Sequence, residues 1–499
     1  MKELKLIFSG KYLAGIIVVG VFGLLNMILL FNRIYWISFI PIGLILIWLS
    51  IVQPKLIILF LAFITPFSFN YNFDDLGFSV NLPTEPVLIL LILLLVVRYV
   101  LKSQNDHEML LHPLTIAILF NLFWITITSI SSSIPLVSFK FLLSRIIYTG
   151  IFFFMGYYFF REYKFVKQFI WFFALALFVT VTVILFNHSR FFFAQEWSNS
   201  VTYPFFKDHT IYGAILALII PFMFGFFIKS KALGLSDFER ILALIVSVVL
   251  IIGLIFSFTR AAWVSVLCAL IFLILLLLGF KFKHFMLLAG IGVILLFVFW
   301  TRIFMSFSNT QAVSSSDLKA HFESISNVST DVSNTERINR WNSAIRMYKE
   351  KPFLGWGPGT YMFKYAPFQK YREKTAISTD FGTLGNAHSE YLGPLSESGL
   401  IGMLSFIAIA LIFVYKGIYL FRHASDKKIK WMALLILLSI ITYLAHGVMN
   451  NFLHTDKASV PFWAFLGMML ALDINNKHQL KSDLNRNSNS NSNSNSNED

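Results

Sequence analysis

The chain reads as an all-α polytopic integral membrane protein, with about 12–14 transmembrane helices and one long extracytoplasmic loop. Three observations predict this. Of 499 residues, 57% are hydrophobic and only 13% charged, and the mean hydropathy is +0.72, far too apolar for a soluble domain. Apolar runs of spanning length recur along the chain, and they must be helical, because lone strands would leave backbone groups unpaired in lipid. The basic residues alternate between the loops as membrane topology requires.

In order, the apolar stretches are 13–31, 35–52, 54–68, 83–101, 113–130, 141–160, 168–187, 210–228, 240–257, 261–279 and 284–304, then 398–421, 430–447 and 458–473. The third and the last are short for a span, which takes roughly 20 residues at 1.5 Å each. Residues 1–12 show no small-residue cleavage site, so the first stretch is expected to be a retained helix. An N-terminus inside places Lys2, Lys5, Lys55, Arg98, Arg161, Lys164, Lys229, Lys281, Arg422 and Lys427 on the cytoplasmic side. Few basic residues stay in the short loops opposite. The chain then divides into N-terminal spans (1–304), an extracytoplasmic loop (305–390), C-terminal spans (391–475) and an Asn/Ser-rich tail (476–499). The tail's composition predicts a disordered cytoplasmic segment.

The formal charge of +14 suggests nucleic acid at first sight, but the Lys and Arg positions follow topology instead, and no nucleic-acid partner is expected. Cys268 is the only cysteine, which excludes a disulfide framework or a thiolate metal site.

The polar stretch 335–402 is where chemistry is expected. NTERINRWNSAIRMYKEKP predicts an amphipathic helix capped by Asn334 or Thr335 and ended by Pro352, with Ile338, Trp341, Ile345 and Tyr348 on its apolar face. Arg337 and Trp341 lie one turn apart. FLGWGPGTY is a tight turn that lets backbone approach a ligand or another helix, and it lacks the G-K-[ST] ending of a nucleotide loop. His388 opens a membrane helix that carries Glu397 in an apolar setting, where a carboxylate is expensive. With only Glu390 beside it, His388 makes no metal site. Arg260 joins the same face from a short loop between two spans, where it either snorkels to phosphate head groups or serves a site. Lesser candidates there are Lys207, Asp208 and His209, Lys140, and Arg145 within a span. Asp74 and Asp75 read as hydrated loop charge.

These residues resemble the O-antigen ligase-like family of membrane glycosyltransferases, which includes O-antigen ligases, O-antigen polymerases and bacterial protein O-oligosaccharyltransferases. The pattern is an Arg four before a Trp, a Pro, a G-x-G-x-G turn, and a His with E-x-G-x-x-G behind it. It corresponds to Arg337, Trp341, Pro352, residues 355–359, His388, and Glu397, Gly399 and Gly402. Thr259-Arg260-Ala261 resembles the family's S-R-[GA] element, and Phe206-Lys207-Asp208-His209 its F-x-D-[HN] element. Ser389 stands where many relatives carry Asn. The resemblance implies a C-type glycosyltransferase scaffold in a bacterial cytoplasmic (inner) membrane, with both termini cytoplasmic and the long loop periplasmic. It implies transfer from a polyprenyl-diphosphate-linked glycan donor to a lipid, glycan or protein hydroxyl acceptor, among membrane lipids, with neither metal nor other cofactor. Arg260 and Arg337 would bind diphosphate, as always-charged bidentate donors, and His388 would serve as base, giving inversion. Glu397 would support the histidine or a loop. The alternatives within the family are a polymerase or a protein O-oligosaccharyltransferase. A lipid-linked glycan flippase is the competing class, expected to place charged residues at the bilayer midplane or to show paired broken helices.

Overall fold

The structure is a computed structural model that describes residues 10–32, 38, 40–73, 78–101, 106–308, 332–375, 378 and 385–495. Asp74 and Asp75 lie outside the described residues. The chain divides into two compact units, Met1–Ile58 and Leu59–Asp499.

Every apolar stretch read from the sequence falls on a helix. The first unit carries α1 (Gly10–Phe31), α2 (Ile40–Val52) and the start of α3 (Pro54–Ile64). Leu24, Met27 and Phe31 of α1 are exposed, as expected for side chains that face lipid.

The second unit holds α4 (Thr84–Leu101), α5 (Pro113–Ile130), α6 (Pro135–Phe160), α7 (Tyr163–Ser189), α8 (His209–Ile228), α9 (Asp237–Ile255), α10 (Arg260–Leu277) and α11 (Phe282–Ser308). After these come α12 (Val332–Glu350), α13 (Leu392–His423), α14 (Lys427–His446) and α15 (Asp456–Asn495). Among the described residues, nine helices are long and apolar enough to cross a membrane: α5 to α10 and α13 to α15. The expectation was 12–14 spans; within the described residues, Gly20–Phe31, Ile40–Val52, Pro54–Phe67, Thr84–Leu93 and Phe282–Gly292 add further apolar helical stretches. One antiparallel hairpin, β1 (Phe69–Phe73) with β2 (Phe78–Leu82), lies between α3 and α4, where the sequence alternates apolar and polar residues.

The helix starts follow local chemistry. Proline occupies the first turn of α5 and α6, where no N–H partner is lost. Ser236 and Glu239 form a capping box on α9. The centre of the bundle is α8, buried on nearly every side and packed on α9 and α14. α15 is buried from Ala458 to Ile474. From Lys477 to Asp483 its side chains are mostly exposed, and the helix runs on to Asn495, through a stretch whose composition predicts disorder.

α12 forms where the periodicity places it, starting one turn earlier, at Val332. Its buried face differs from the expected one. Glu336, Asn339, Arg340, Ser343, Ala344 and Met347 are buried, whereas Ile338, Trp341, Ile345 and Tyr348 are only partly so. The reason is tertiary. The loop makes its own small core, in which Ala344 and Met347 meet Tyr361, Tyr365 and Ala387, with Trp356, Phe368 and Leu392 packed around them. Arg340 and Glu336 pair within it, Nε to Oε1 at 2.8 Å, one turn apart.

Candidate functional site

A broken helix sets the frame. Gly399 within α13 has φ 70° and ψ −172°, so the helix is interrupted there. An interruption strands backbone groups that need partners in an apolar setting, and the glycine turn supplies them. Trp356 N donates to Ser396 O at 3.1 Å, Gly357 N to Glu397 O at 2.8 Å, and Leu400 N to Pro352 O at 3.0 Å. Trp124 Nε1 donates to Ser398 O at 2.8 Å. The fit requires glycine on both sides. A Cβ on Gly355 would stand 2.3 Å from the Glu397 carbonyl carbon, and one on Gly399 would stand 2.0 Å from Phe353 O. Of the two uses the sequence left open for this turn, approach to another helix is the one observed. Glu397 belongs to the same joint: its carboxylate accepts the Tyr361 N–H at 2.9 Å and so holds the end of the turn.

His388 sits just before α13 in left-handed backbone, φ 46°. That conformation costs a non-glycine residue on the order of 1–3 kcal/mol and persists only where surroundings impose it. Here Asn386 Oδ1 accepts the His388 N–H at 2.9 Å, and Trp341 Nε1 donates to the His388 carbonyl at 3.2 Å. Arg340 Nη1 donates to Asn386 O at 3.3 Å. Ser389 Oγ accepts the Tyr391 and Leu392 N–H groups, a capping duty that asparagine performs equally well. The His388 imidazole is held at a pKa of about 3, well below the usual value, first by burial and then by the positive charges of Arg340 and Arg337. It is therefore neutral at physiological pH.

Arg260 is the first residue of α10, at a corner where three chain segments meet. Thr259 Oγ1 donates to His209 O at 2.8 Å, and the His209 ring meets Ser257 O at 2.8 Å through Nδ1. Asp208 caps α8 by accepting the Thr210 and Ile211 N–H groups. Gly213 packs where a Cβ would lie 2.7 Å from Thr259 Cβ, which brings the two segments together.

The structure joins this corner to His388. Asn450 contacts both the His388 ring, Oδ1 to Nδ1 at 3.3 Å, and the His446 ring, Nδ2 to Nε2 at 3.1 Å. The Ala261 backbone, next to Arg260, lies beside the His446 ring. The Arg337 charge acts on His388, His209 and His446, that of Arg260 on His209, and that of Asp208 on all three histidines. Arg260, Arg337, Asp208, His209 and His388 thus share one electrostatic neighbourhood. Lys207 is exposed and acts on His454. Lys140 is also exposed, and its charge acts on Glu85. Arg145 stacks over Phe141 and Trp463, 5.3 and 5.5 Å from the ring centroids, and feels Glu390 and Glu397.

Sequence reasoning missed four contributors. Asn450 and His446 carried no motif signal, and nothing in a lone asparagine distinguishes it. Glu390 appeared only as an insufficient metal partner. It is a buried anchor: Oε1 accepts Tyr443 OH at 2.6 Å, Phe452 N at 2.7 Å and Leu453 N at 3.0 Å. The Glu336–Arg340 pair was the fourth, and its i,i+4 spacing was the available signal. Among the described residues, no group of three or more His, Cys, Asp and Glu side chains is placed to hold a metal ion.

Residues 245–407, about a third of the chain, match the family described as O-Antigen ligase. That region is thus similar to the O-antigen ligase family, within a multi-pass helical chain. It includes Arg260, Arg337, His388 and Glu397, and leaves out Asp208, His209, His446 and Asn450. No curated protein matches the chain.

Proposed function

We propose that the protein is a membrane glycosyltransferase that moves a glycan from a polyprenyl-diphosphate carrier to an acceptor hydroxyl, with Arg260 and Arg337 on the diphosphate and His388 as base. The observation that supports this reading is electrostatic: the Arg337 charge acts on the rings of both His388 and His209, and that of Arg260 acts on His209, so these groups share one neighbourhood. Arg260, Arg337 and His388 come from segments 77 and 51 residues apart (337 − 260; 388 − 337). The family match supports the same class of chemistry.

Each group has a physical task. The acceptor oxygen attacks the anomeric carbon, the bond from that carbon to the diphosphate oxygen breaks, and its electron pair leaves with the diphosphate. The acceptor proton passes to the imidazole, which must be neutral to take it. Charge building on the leaving diphosphate is stabilised by preorganised guanidinium donors, each worth roughly 3–4 kcal/mol by the oxyanion-hole precedent. One displacement of this kind inverts the anomeric configuration. Glu397 and the glycine turn hold the loop that carries Arg337, and Glu390 holds the segment that carries His388.

A flippase would present discontinuous helices whose freed backbone groups bind cargo. α13 is discontinuous, but its own chain satisfies the groups freed at Gly399. That observation favours the transferase. A bacterial inner-membrane location with the loop outside the cytoplasm goes with this reading, as does a role in surface polysaccharide assembly by ligation, polymerisation or protein glycosylation.

The test uses the full chain in nanodiscs with a synthetic polyprenyl-diphosphate-linked glycan, a panel of lipid, glycan and peptide acceptors, chelator and no ATP. Acceptor-dependent release of polyprenyl diphosphate is expected. Arg260→Lys and Arg337→Lys should each lower kcat/KM by roughly 10²-fold, because a single ammonium cannot form the bidentate contact. Full activity in both variants would remove the diphosphate role.

A further inference from the structure

We infer that Asn450 is a positioning residue that fixes the His388 proton on Nδ1 and turns the Nε2 lone pair toward the acceptor. The inference rests on the reading of His388 as base, and deepens it by naming the group that selects which ring nitrogen accepts the proton.

Asn450 is 2% exposed and its amide lies between two imidazoles. Oδ1 is 3.3 Å from His388 Nδ1, and Nδ2 is 3.1 Å from His446 Nε2. A carbonyl oxygen only accepts and an amide nitrogen only donates. With this orientation His388 Nδ1 carries the hydrogen, and the lone pair of its ring resides on Nε2. His446 Nε2 is an acceptor, so the proton of that neutral ring is on Nδ1. Turning the amide over would reverse both rings, leaving His388 with an Nε2–H that donates and accepts nothing. One amide orientation therefore separates a competent base from an incompetent one.

The frame around the amide is rigid. Asn450 N donates to His446 O at 3.2 Å, one turn beyond the end of α14. Glu390 ties the two segments together: its N–H donates to Gly447 O at 2.7 Å, while its carboxylate accepts the Phe452 and Leu453 N–H groups. His388 is held from the other side by Asn386 and Trp341. These bonds fix the backbone of both segments, and so the positions from which the two imidazoles and the amide between them meet. The arrangement follows the general rule that the second nitrogen of a catalytic imidazole is oriented by a hydrogen-bonding partner.

The experiment measures the ring ¹⁵N shifts of His388 by solid-state NMR on the full chain, ¹⁵N-histidine labelled, in lipid at neutral pH. The signal is assigned by its loss in His388→Gln. The wild type is expected to show a neutral ring protonated on Nδ1, and a neutral ring protonated on Nε2 overturns the inference without any variant. Asn450→Leu, close in volume but unable to accept, should shift the population toward Nε2–H. Asn450→Asp, which still accepts, should keep Nδ1–H. An unchanged tautomer in Asn450→Leu also overturns the inference.

With the synthetic polyprenyl-diphosphate-linked glycan as probe, Asn450→Leu should lower kcat roughly 10- to 100-fold with donor KM unchanged, since only the proton transfer is misaligned. Asn450→Asp should recover part of that loss. The NMR arm is independent of turnover. An Nδ1-protonated His388 in a chain that transfers to no acceptor would uphold the orientation and remove the proposed reaction.

Discussion

The joint between the glycine turn and α13 makes a sharp quantitative prediction for Gly355→Ala and Gly399→Ala. Both glycines have positive φ, 66° and 70°, and both face backbone rather than a flexible side chain. An added methyl at 355 would lie 2.3 Å from a carbonyl carbon and 2.4 Å from its oxygen; at 399 it would lie 2.0 Å from an oxygen. Neither contact can be relieved by a rotamer change, so the turn must move off the helix. Three backbone hydrogen bonds go with it, those of Trp356, Gly357 and Leu400. Each leaves a poorly solvated polar group unmade at about 1–3 kcal/mol, so each variant should lose on the order of 3–9 kcal/mol. Gly393→Ala on the same helix is the control, because its Cβ would meet nothing nearer than 3.7 Å. Thermal unfolding in detergent, followed by tryptophan fluorescence, should show a fall on the order of 5 °C or more for Gly355→Ala and Gly399→Ala. Gly393→Ala should stay near wild type. If Gly355→Ala melted with the control, the interlock would not be what holds the broken helix.

Further outcomes are expected from His388 and Glu390. The His388 pKa of about 3 reflects burial and then the Arg340 and Arg337 charges, so kcat/KM, which reports the free protein, should show no His388 acid limb near pH 6.5. Bound diphosphate offsets part of the arginine charge, so the limb in kcat should lie at higher pH than the limb in kcat/KM. An acid limb near 6.5 in kcat/KM, lost in a variant of His388, would refute this. The stability sign follows from linkage: between about pH 6.5 and 3 the unfolded histidine is protonated and the native one is not, so wild type loses stability as pH falls through that window. Glu390→Ala removes the acceptor of three hydrogen bonds and should destabilise by about 3 kcal/mol or more. It should also displace the 446–453 segment, read as faster amide exchange at Phe452 and Leu453; unchanged exchange there would deny Glu390 its anchoring role.

Much of the fold was legible because lipid imposes one rule on the whole chain. A span needs a long apolar run with its hydrogen bonds closed internally, and every such run became a helix. The hairpin at β1 and β2 escaped notice because two five-residue strands in a polar loop give a weak signal beside twenty-residue helices. The buried face of α12 was misassigned because hydropathy assumes that apolar residues seek the interior. Here the interior is a local core that accepts a paired Glu336 and Arg340, while Trp341 reaches out to the His388 carbonyl. The motif residues Arg260, Arg337 and His388 stood out in sequence because charge at the margin of an apolar chain is costly and conspicuous.

What the amino-acid order determined alone was the set of helices, the polar stretch between them and the residue types able to handle a diphosphate and a proton. Those are local properties, fixed by hydropathy, spacing and side-chain chemistry. The tertiary structure alone decided that Gly355 and Gly399 interlock, that Glu390 clamps the segment after α14, and that Asn450 lies between His388 and His446. Each of these joins positions far apart in the chain through a hydrogen bond or a close approach of backbone, and no periodicity encodes such a meeting.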